Sequence, residues 1–384
     1  MRILADQNIP LVDEFFGELG EIRRLPGREI DAQAVAGCDI LLVRSITRVD
    51  AALLAGSPVR FVGTCTIGTD HIDLDYLHER RIGFASAPGC NADSVVDYVL
   101  SSLSMLAEER DYRLDRCTIG IVGAGNVGGR LWRRLAELGA RCLVCDPPRA
   151  LAEGRDDFVD LDTLLDEADI VCLHTPLVTT GDHPTRHLLD ARRIAALRPG
   201  TVLLNAGRGD CLDGRALYER LAEHGDLNTV LDVWENEPAI DEALYSLVDI
   251  ATPHIAGYSL DGKMRGTELV YQAIMRHYGL PVRRKLGQIK PEPWLRKLVL
   301  TGWAPPEEAL SLCVRACYDV RRDMVGFERY RRRLGMAQAF DRYRAEYPVR
   351  REFSTLRVDL KKNNNDLREA LERFGFKVRL ANKQ

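Results

Sequence analysis

Residues 118–128 read Thr-Ile-Gly-Ile-Val-Gly-Ala-Gly-Asn-Val-Gly. Thr118 to Val122 is a short apolar run of strand type. Beyond it Val127, Leu131, Leu135 and Leu138 share one helical face, and Gly139 ends the helix. A second apolar strand, Arg141 to Cys145, runs into Asp146. A GxGxxG alone means little in a chain with 31 glycines, but strand, glycine turn, helix, strand and acid in this order make a dinucleotide-binding unit. Gly123 permits the tight turn, Gly125 lets backbone approach a pyrophosphate, and Gly128 lets helix and strand pack closely. The helix N-terminus offers its unpaired N–H groups to the anion. Asp146 lies about twenty residues past the first glycines, where a carboxylate accepts hydrogen bonds from an adenosine ribose. That carboxylate would repel a 2′-phosphate, Pro147 and Pro148 supply no donor, and Arg149 is the one cation at hand. NAD is therefore expected rather than NADP.

Working outward, the alternation continues. Asp169 to Leu173 reads as a strand, Asp190 to Leu197 as a helix, Thr201 to Asn205 as a strand, Asp213 to His224 as a helix and Thr229 to Val233 as a strand. This predicts an α/β, doubly wound parallel sheet, whose ligands gather at the carboxyl ends of the strands. Those ends carry Thr175-Pro176, Ala206-Gly207-Arg208-Gly209, Asp232 to Glu237 and Thr252 to Gly257. Arg208, Glu237 and His254 form a candidate reaction centre. A guanidinium fork binds both oxygens of a substrate carboxylate. A histidine takes a hydroxyl proton as hydride leaves the neighbouring carbon, and a nearby carboxylate orients the ring. Together the three suit a 2-hydroxy acid. The plainer alternatives are a surface cation, a solvated loop acid and a histidine packed after Pro253.

The segments Gly63 to Asp73 (GTCTIGTDHID), Ala87 to Ala92, the glycine turn, His174 to Leu177, Leu197 to Asp213 (LRPGTVLLNAGRGDCLD) and Thr252 to Gly257 resemble the D-isomer-specific 2-hydroxyacid dehydrogenases over roughly residues 1 to 280. The resemblance implies an NAD-dependent enzyme with Arg208 on the substrate carboxylate, Glu237 on the histidine and His254 as acid and base. It implies that Gly123, Gly125, Asn126, Val127, Gly128, Asp146, Thr175, Ala206, Gly207 and Gly257 line the cofactor, and that Asp232 meets the nicotinamide carboxamide. Arg44 to Thr47, the stretch Gly63 to Asp70, the run His254 to Ser259 and the long C-terminal extension point within that family to a phosphorylated four-carbon acid as substrate, with Ser45, Thr66 and Tyr258 in contact with it. Arg44 or Arg48 would be extra phosphate partners. Ser45 and Thr66 could instead cap local turns. A dehydrogenase for another phosphorylated acid such as 3-phosphoglycerate, or a non-catalytic NAD-sensing protein, stays open.

More than 110 residues precede the glycine turn, which gives its position an architectural meaning. Residues 1–92 read as a smaller α/β substrate domain, with strands Arg2 to Ala5, Asp39 to Val43 and Arg60 to Thr64 and a helix from Pro10 to Leu19. The expected division is 1–92 with 258–286 as substrate domain, 93–257 as NAD domain inserted into it, and 287–384 as a C-terminal α+β dimerisation domain. Helices from Ser94 to about Arg110 and from Met264 to Tyr278 would carry the chain across and back, with Asn91-Ala92 and the stretch around Gly257 as hinge candidates. Pro291-Glu292-Pro293 reads as a linker. Beyond it a helix is expected over Pro306 to Arg322, then strand Ser354 to Leu360, helix Asp366 to Phe374 and strand Phe376 to Leu380. The basic stretch Arg321 to Arg351 is interrupted by acids and reads as a mixed, solvated face.

At 384 residues, 46% hydrophobic and net charge -4, the chain is large enough for several cores and gives no reason to expect nucleic acid or an acidic membrane surface. Neither a signal peptide nor a membrane-spanning stretch is read, so a cytoplasmic enzyme is expected. Ten cysteines are scattered. Cys142 and Cys145 form one CxxC on a strand, where positions three apart face opposite ways, and no metal is expected.

Overall fold

The structure, a computed structural model, describes residues 1–110 and 112–381. The chain divides into two compact units, Met1–Ala92 with Tyr258–Glu292, and Asp93–Gly257 with Pro293–Gln384.

The first unit is a parallel sheet of β1 (Arg2–Asp6), β2 (Glu21–Leu25), β3 (Ile40–Val43), β4 (Phe61–Thr64) and β5 (Gly83–Ala85), in the order β2-β1-β3-β4-β5. Alternate residues of each strand serve two cores. Ile3, Ala5, Ile40 and Leu42 pack with Phe15, Phe16 and the helix Leu260–His277, whereas Leu4, Leu41, Val43 and Val62 pack with Val35, Leu53, Leu54 and Leu77. Burial on both faces explains why β1, β3 and β4 read as apolar runs. The helix expected over Pro10 to Leu19 is shorter, Val12–Phe16. Leu11 before it has φ 57°, and past Gly17 the chain turns so that Gly20 lies on the Met1 backbone, where a Cβ would come within 1.8 Å of a carbonyl oxygen.

The second unit is a six-stranded parallel sheet of β6 (Thr118–Val122), β7 (Arg141–Cys145), β8 (Ile170–Leu173), β9 (Val202–Asn205), β10 (Asn228–Leu231) and β11 (Ile250–Ala251), ordered β11-β10-β9-β8-β6-β7. The winding leaves β6 toward β7 on one side and resumes at β8 on the other. Its switch point is therefore the end of β6, where the glycine turn stands. The doubly wound α/β architecture expected of the sequence is present. Asp160, Asp190 and Asp213 cap the helices that follow them, each side chain accepting from a backbone N–H three residues on, a contribution of about 1 kcal/mol apiece.

The C-terminal segment adds a parallel sheet of β12 (Lys297–Leu300), β13 (Arg357–Leu360) and β14 (Lys377–Leu380). The single helix expected over Pro306 to Arg322 is two, Pro306–Cys317 and Val320–Leu334, because Asp319 caps the second by accepting from Arg321 N. Within the basic stretch, Phe327, Met336, Ala339, Phe340 and Tyr343 join the core of the second unit. Its arginines pair locally, Arg331 and Arg332 with Glu328 and Arg342 with Glu346. Buried Asp323 accepts from the hydroxyls of Tyr318, Tyr343 and Tyr347.

Candidate active site

The glycine turn is built by what each position forbids. A Cβ on Gly128 would lie 1.9 Å from Gly123 O, so helix and strand meet there only without a side chain. Gly123 has φ 86° and faces the backbone at His174 and Thr175. At Gly125 nothing lies within 4 Å of an added Cβ, which leaves the backbone open to a ligand. Asp146 holds this turn from the end of β7, its carboxylate accepting from Ala124 N at 2.7 Å and Arg149 N at 3.0 Å. Arg149 is itself engaged, donating to Ala124 O at 2.6 Å and to Glu153 at 2.6 Å. Its charge is thus committed to the protein, and the residues present suit NAD. Thr175 is buried beside the turn and donates to Cys211 Sγ at 3.4 Å. Gly207 packs under the same loop, where a Cβ would come within 2.9 Å of Thr175 O.

Glu237 and His254 are brought together. His254 Nδ1 lies 2.8 Å from Glu237 Oε2, and Trp234 N donates to the other oxygen at 2.9 Å. The pair fixes one face of the imidazole and leaves Nε2 for a substrate. Burial raises the Glu237 pKa, but the hydrogen bond and charge of His254 and the Trp234 N–H outweigh it, and the carboxyl ends below its ordinary range. His254 has φ 56°, a left-handed conformation costly for a residue with a Cβ. Two clamps hold the backbone around it. Asp232 accepts through Oδ1 from Thr252 Oγ1 and Ile255 N and through Oδ2 from Ala256 N, at 2.7–2.9 Å. Arg350, 1% exposed, donates to Ala256 O at 3.1 Å, Ile255 O at 3.4 Å and Ser94 O at 2.5 Å, its guanidinium 3.6 Å from the Tyr318 ring centroid. Asp232 thus tethers the N–H groups after His254, and Arg350 the carbonyls.

Arg208 follows β9 in a turn fixed by Asn205, whose amide donates to Arg208 O at 3.0 Å and accepts from Gly207 N at 3.1 Å. The guanidinium donates to Gly207 O at 2.9 Å and has no carboxylate partner among the described residues. No hydrogen bond or ion pair joins Arg208 to the Glu237–His254 pair among the described residues, yet Gly209 abuts Trp234, where a Cβ would come within 2.0 Å, so the two loops are packed together. Gly257 closes the segment that the clamps hold. Sequence reasoning passed over Arg350, one arginine among many in a basic tail. It also passed over His174, whose ring nitrogens are both buried without a partner and whose pKa burial lowers to about 4. The signal for His174 was its place at the carboxyl end of β8.

Ser45, Thr66 and Tyr258 lie in the first unit. Ser45 is exposed just past β3. Thr66 Oγ1 is 2.7 Å from Thr64 Oγ1, which is 3.1 Å from His71 Nε2. Tyr258 precedes Ser259, the N-cap of the helix Leu260–His277. All ten cysteines are free. Burial pushes both Cys142 and Cys145 up to about 11, so neither is a reactive thiolate.

The model of the D-isomer specific 2-hydroxyacid dehydrogenase, NAD binding domain, matches residues 102–256, and that of a domain of unknown function matches residues 290–375. The chain is 74% identical over the whole length of both proteins to an erythronate-4-phosphate dehydrogenase of Chromohalobacter salexigens. It is 57% identical to one of Azotobacter vinelandii, over 98% of this chain and 99% of that one. Among solved structures it shares the fold of Aquifex aeolicus D-lactate dehydrogenase complexed with NAD and lactic acid (TM-score 0.58, 23% identity, 73% of this chain and 96% of that one). A further match is Entamoeba histolytica 3-phosphoglycerate dehydrogenase with bound NAD (TM-score 0.60, 22% identity, 74% and 97%). With its NAD-binding domain and full-length likeness to these relatives, the chain belongs to the erythronate-4-phosphate dehydrogenases of the D-isomer-specific 2-hydroxyacid dehydrogenase family.

Proposed function

We propose that this chain oxidises 4-phospho-D-erythronate to 2-oxo-3-hydroxy-4-phosphobutanoate, a step toward pyridoxal 5′-phosphate. The observation that carries the chemistry is the 2.8 Å contact between Glu237 and His254. NAD, when bound, supplies the hydride acceptor. His254 Nε2 takes the C2 hydroxyl proton as the hydride leaves C2, and the carbonyl forms. Glu237 holds the ring in register and balances the charge it gains. Arg208, without a carboxylate partner among the described residues, takes the substrate carboxylate in a fork. Ser45, Thr66 and Tyr258 meet the substrate hydroxyls and phosphate, and Asp232 meets the nicotinamide carboxamide in addition to its work on the histidine loop.

The setting we propose is a cytoplasmic homodimer joined through the C-terminal segment. No helix among the described residues is long and apolar enough to cross a membrane. Trp294 and Trp303 around β12 are 79% and 75% exposed, with Val299 and Leu380 also outward, apolar surface of the kind a second subunit covers.

Reduced-nicotinamide absorbance tests the reaction with 4-phospho-D-erythronate and with 3-phosphoglycerate, the former being turned over. H254A should lower kcat by roughly 10²–10⁴-fold and spare NAD affinity, whereas D146A should chiefly weaken NAD binding. The reverse pattern overturns the assignment, and tight NAD binding without turnover of either acid overturns the reaction.

A further inference from the structure

Among the described residues, two cations at the carboxyl end of the first unit's sheet have no ion-pair partner. Arg44 directly follows β3, beside the end of β4, for Val43 pairs with Thr64 and Cys65 N donates to Val43 O at 3.0 Å. The helix Leu260–His277 lies across this end of the sheet. Gly266 is pressed on Cys65, where a Cβ would come within 2.6 Å of the carbonyl oxygen, and a Cβ on Gly63 would meet Val270 at 2.4 Å. Lys263 stands one turn before Gly266 on the same helical face, and its Nζ is 4.8 Å from the Tyr258 ring centroid.

Both cations are half-buried. The acids near them are engaged elsewhere: Asp261 is fully buried in an ion pair with Lys290, and Glu268 accepts from Leu286 N at 2.7 Å. Asp6, at the end of neighbouring β1, accepts from Asn8 N through Oδ1, while its buried Oδ2 beside Gly27 has no hydrogen-bond partner and pairs with neither cation among the described residues. Arg265, on the same turn as Lys263, donates to Cys90 O. Most arginines of this chain have found carboxylates, so an unmatched pair beside Ser45 and Tyr258 stands out. Half-buried cations without counter-charges are costly unless an anion arrives with the ligand.

We propose that Lys263 and Arg44 form the subsite for a phosphate monoester dianion, the C4 phosphate of the substrate. The inference rests on the reading of that substrate as a phosphorylated acid. The ammonium is a compact point charge held on the Tyr258 ring, and the guanidinium a planar fork, so the two cover different oxygens of one phosphate. The amino end of an 18-residue helix adds partial positive charge on the same side. Burial, with the Arg44 charge behind it, pushes Lys263 down to about 8, and a bound dianion would reverse that.

Titration calorimetry with inorganic phosphate, on the full chain with NAD, reads the subsite directly. The wild type should bind it, and K263M and R44M should each weaken binding roughly ten- to a hundredfold. KM for 4-phospho-D-erythronate should rise by a similar factor, with a smaller change in kcat and an NAD affinity equal to wild type. Arg44 stands at the edge of an exposed loop, so R44M keeps the test available should K263M fail to fold. A wild type that takes up no inorganic phosphate, or variants that bind it equally well, would overturn the subsite. Phosphate bound through these two residues, but no oxidation of 4-phospho-D-erythronate, would sink the proposed reaction and leave the subsite standing.

Discussion

His254 keeps a left-handed backbone that a glycine would adopt at less cost, and the neighbouring peptides show what maintains it. Its N–H donates to Asp232 O at 2.6 Å, while the Asp232 carboxylate takes the next two N–H groups. A conformation costing about 1–2 kcal/mol is thus tied to the residue whose ring nitrogen we propose as the proton acceptor. Lys263 gives the residue scale its pH dependence. Its folded pKa is depressed to about 8, so the free protein carries the ammonium below that pH and loses it above. The proposed phosphate contact should weaken in the same direction. KM for 4-phospho-D-erythronate is expected to rise between about pH 7 and 9, and K263R, whose guanidinium stays charged there, should flatten that rise. Steady-state kinetics across this range decide it: equal slopes in both proteins would exclude Lys263 as the titrating group.

At the scale of elements, the segment Thr252 to Gly257 is a loop with both of its hydrogen-bonding edges occupied. Removing Arg350 leaves the carbonyls of Ile255 and Ala256 without their donor, at about 1–3 kcal/mol for each buried group left unsatisfied. R350M is therefore expected to lower both the urea midpoint and kcat, with R350K recovering part of each. A drop in stability with kcat untouched would show that the clamp does not aim His254. The parts of this site that the sequence made legible are those with a strong local code. Glycines at 123, 125 and 128, an acid ending β7 and polar residues after buried strands all follow from backbone geometry. Edge elements were harder to see. β2 carries three charged residues in five, β5 is three residues long, and β12 follows a proline-rich passage, so their pairing comes from neighbours rather than from their own pattern. Arg350 and Lys263 were invisible for a related reason: each acts through partners distant in sequence or through the absence of one.

For the whole molecule, the proposed roles fall on both units, with proton transfer and nucleotide binding on one and phosphate recognition on the other. The appended C-terminal segment shares the core of the nucleotide unit through Phe327, Phe340 and Tyr343, yet leaves Trp294 and Trp303 largely exposed. The double variant W294D/W303D should sediment as a monomer if that surface joins two copies, whereas an unchanged sedimentation coefficient would place the contact elsewhere. The buried Arg350 carries a different consequence, one of timing. A ribosome finishes the glycine turn, the acid and the histidine well before it reaches residue 350, and until that arginine has emerged the carbonyls after His254 lack their donor. The loop that carries His254 is thus completed by a residue synthesised long after it, so its geometry is set later in synthesis than the glycine turn's own residues are made.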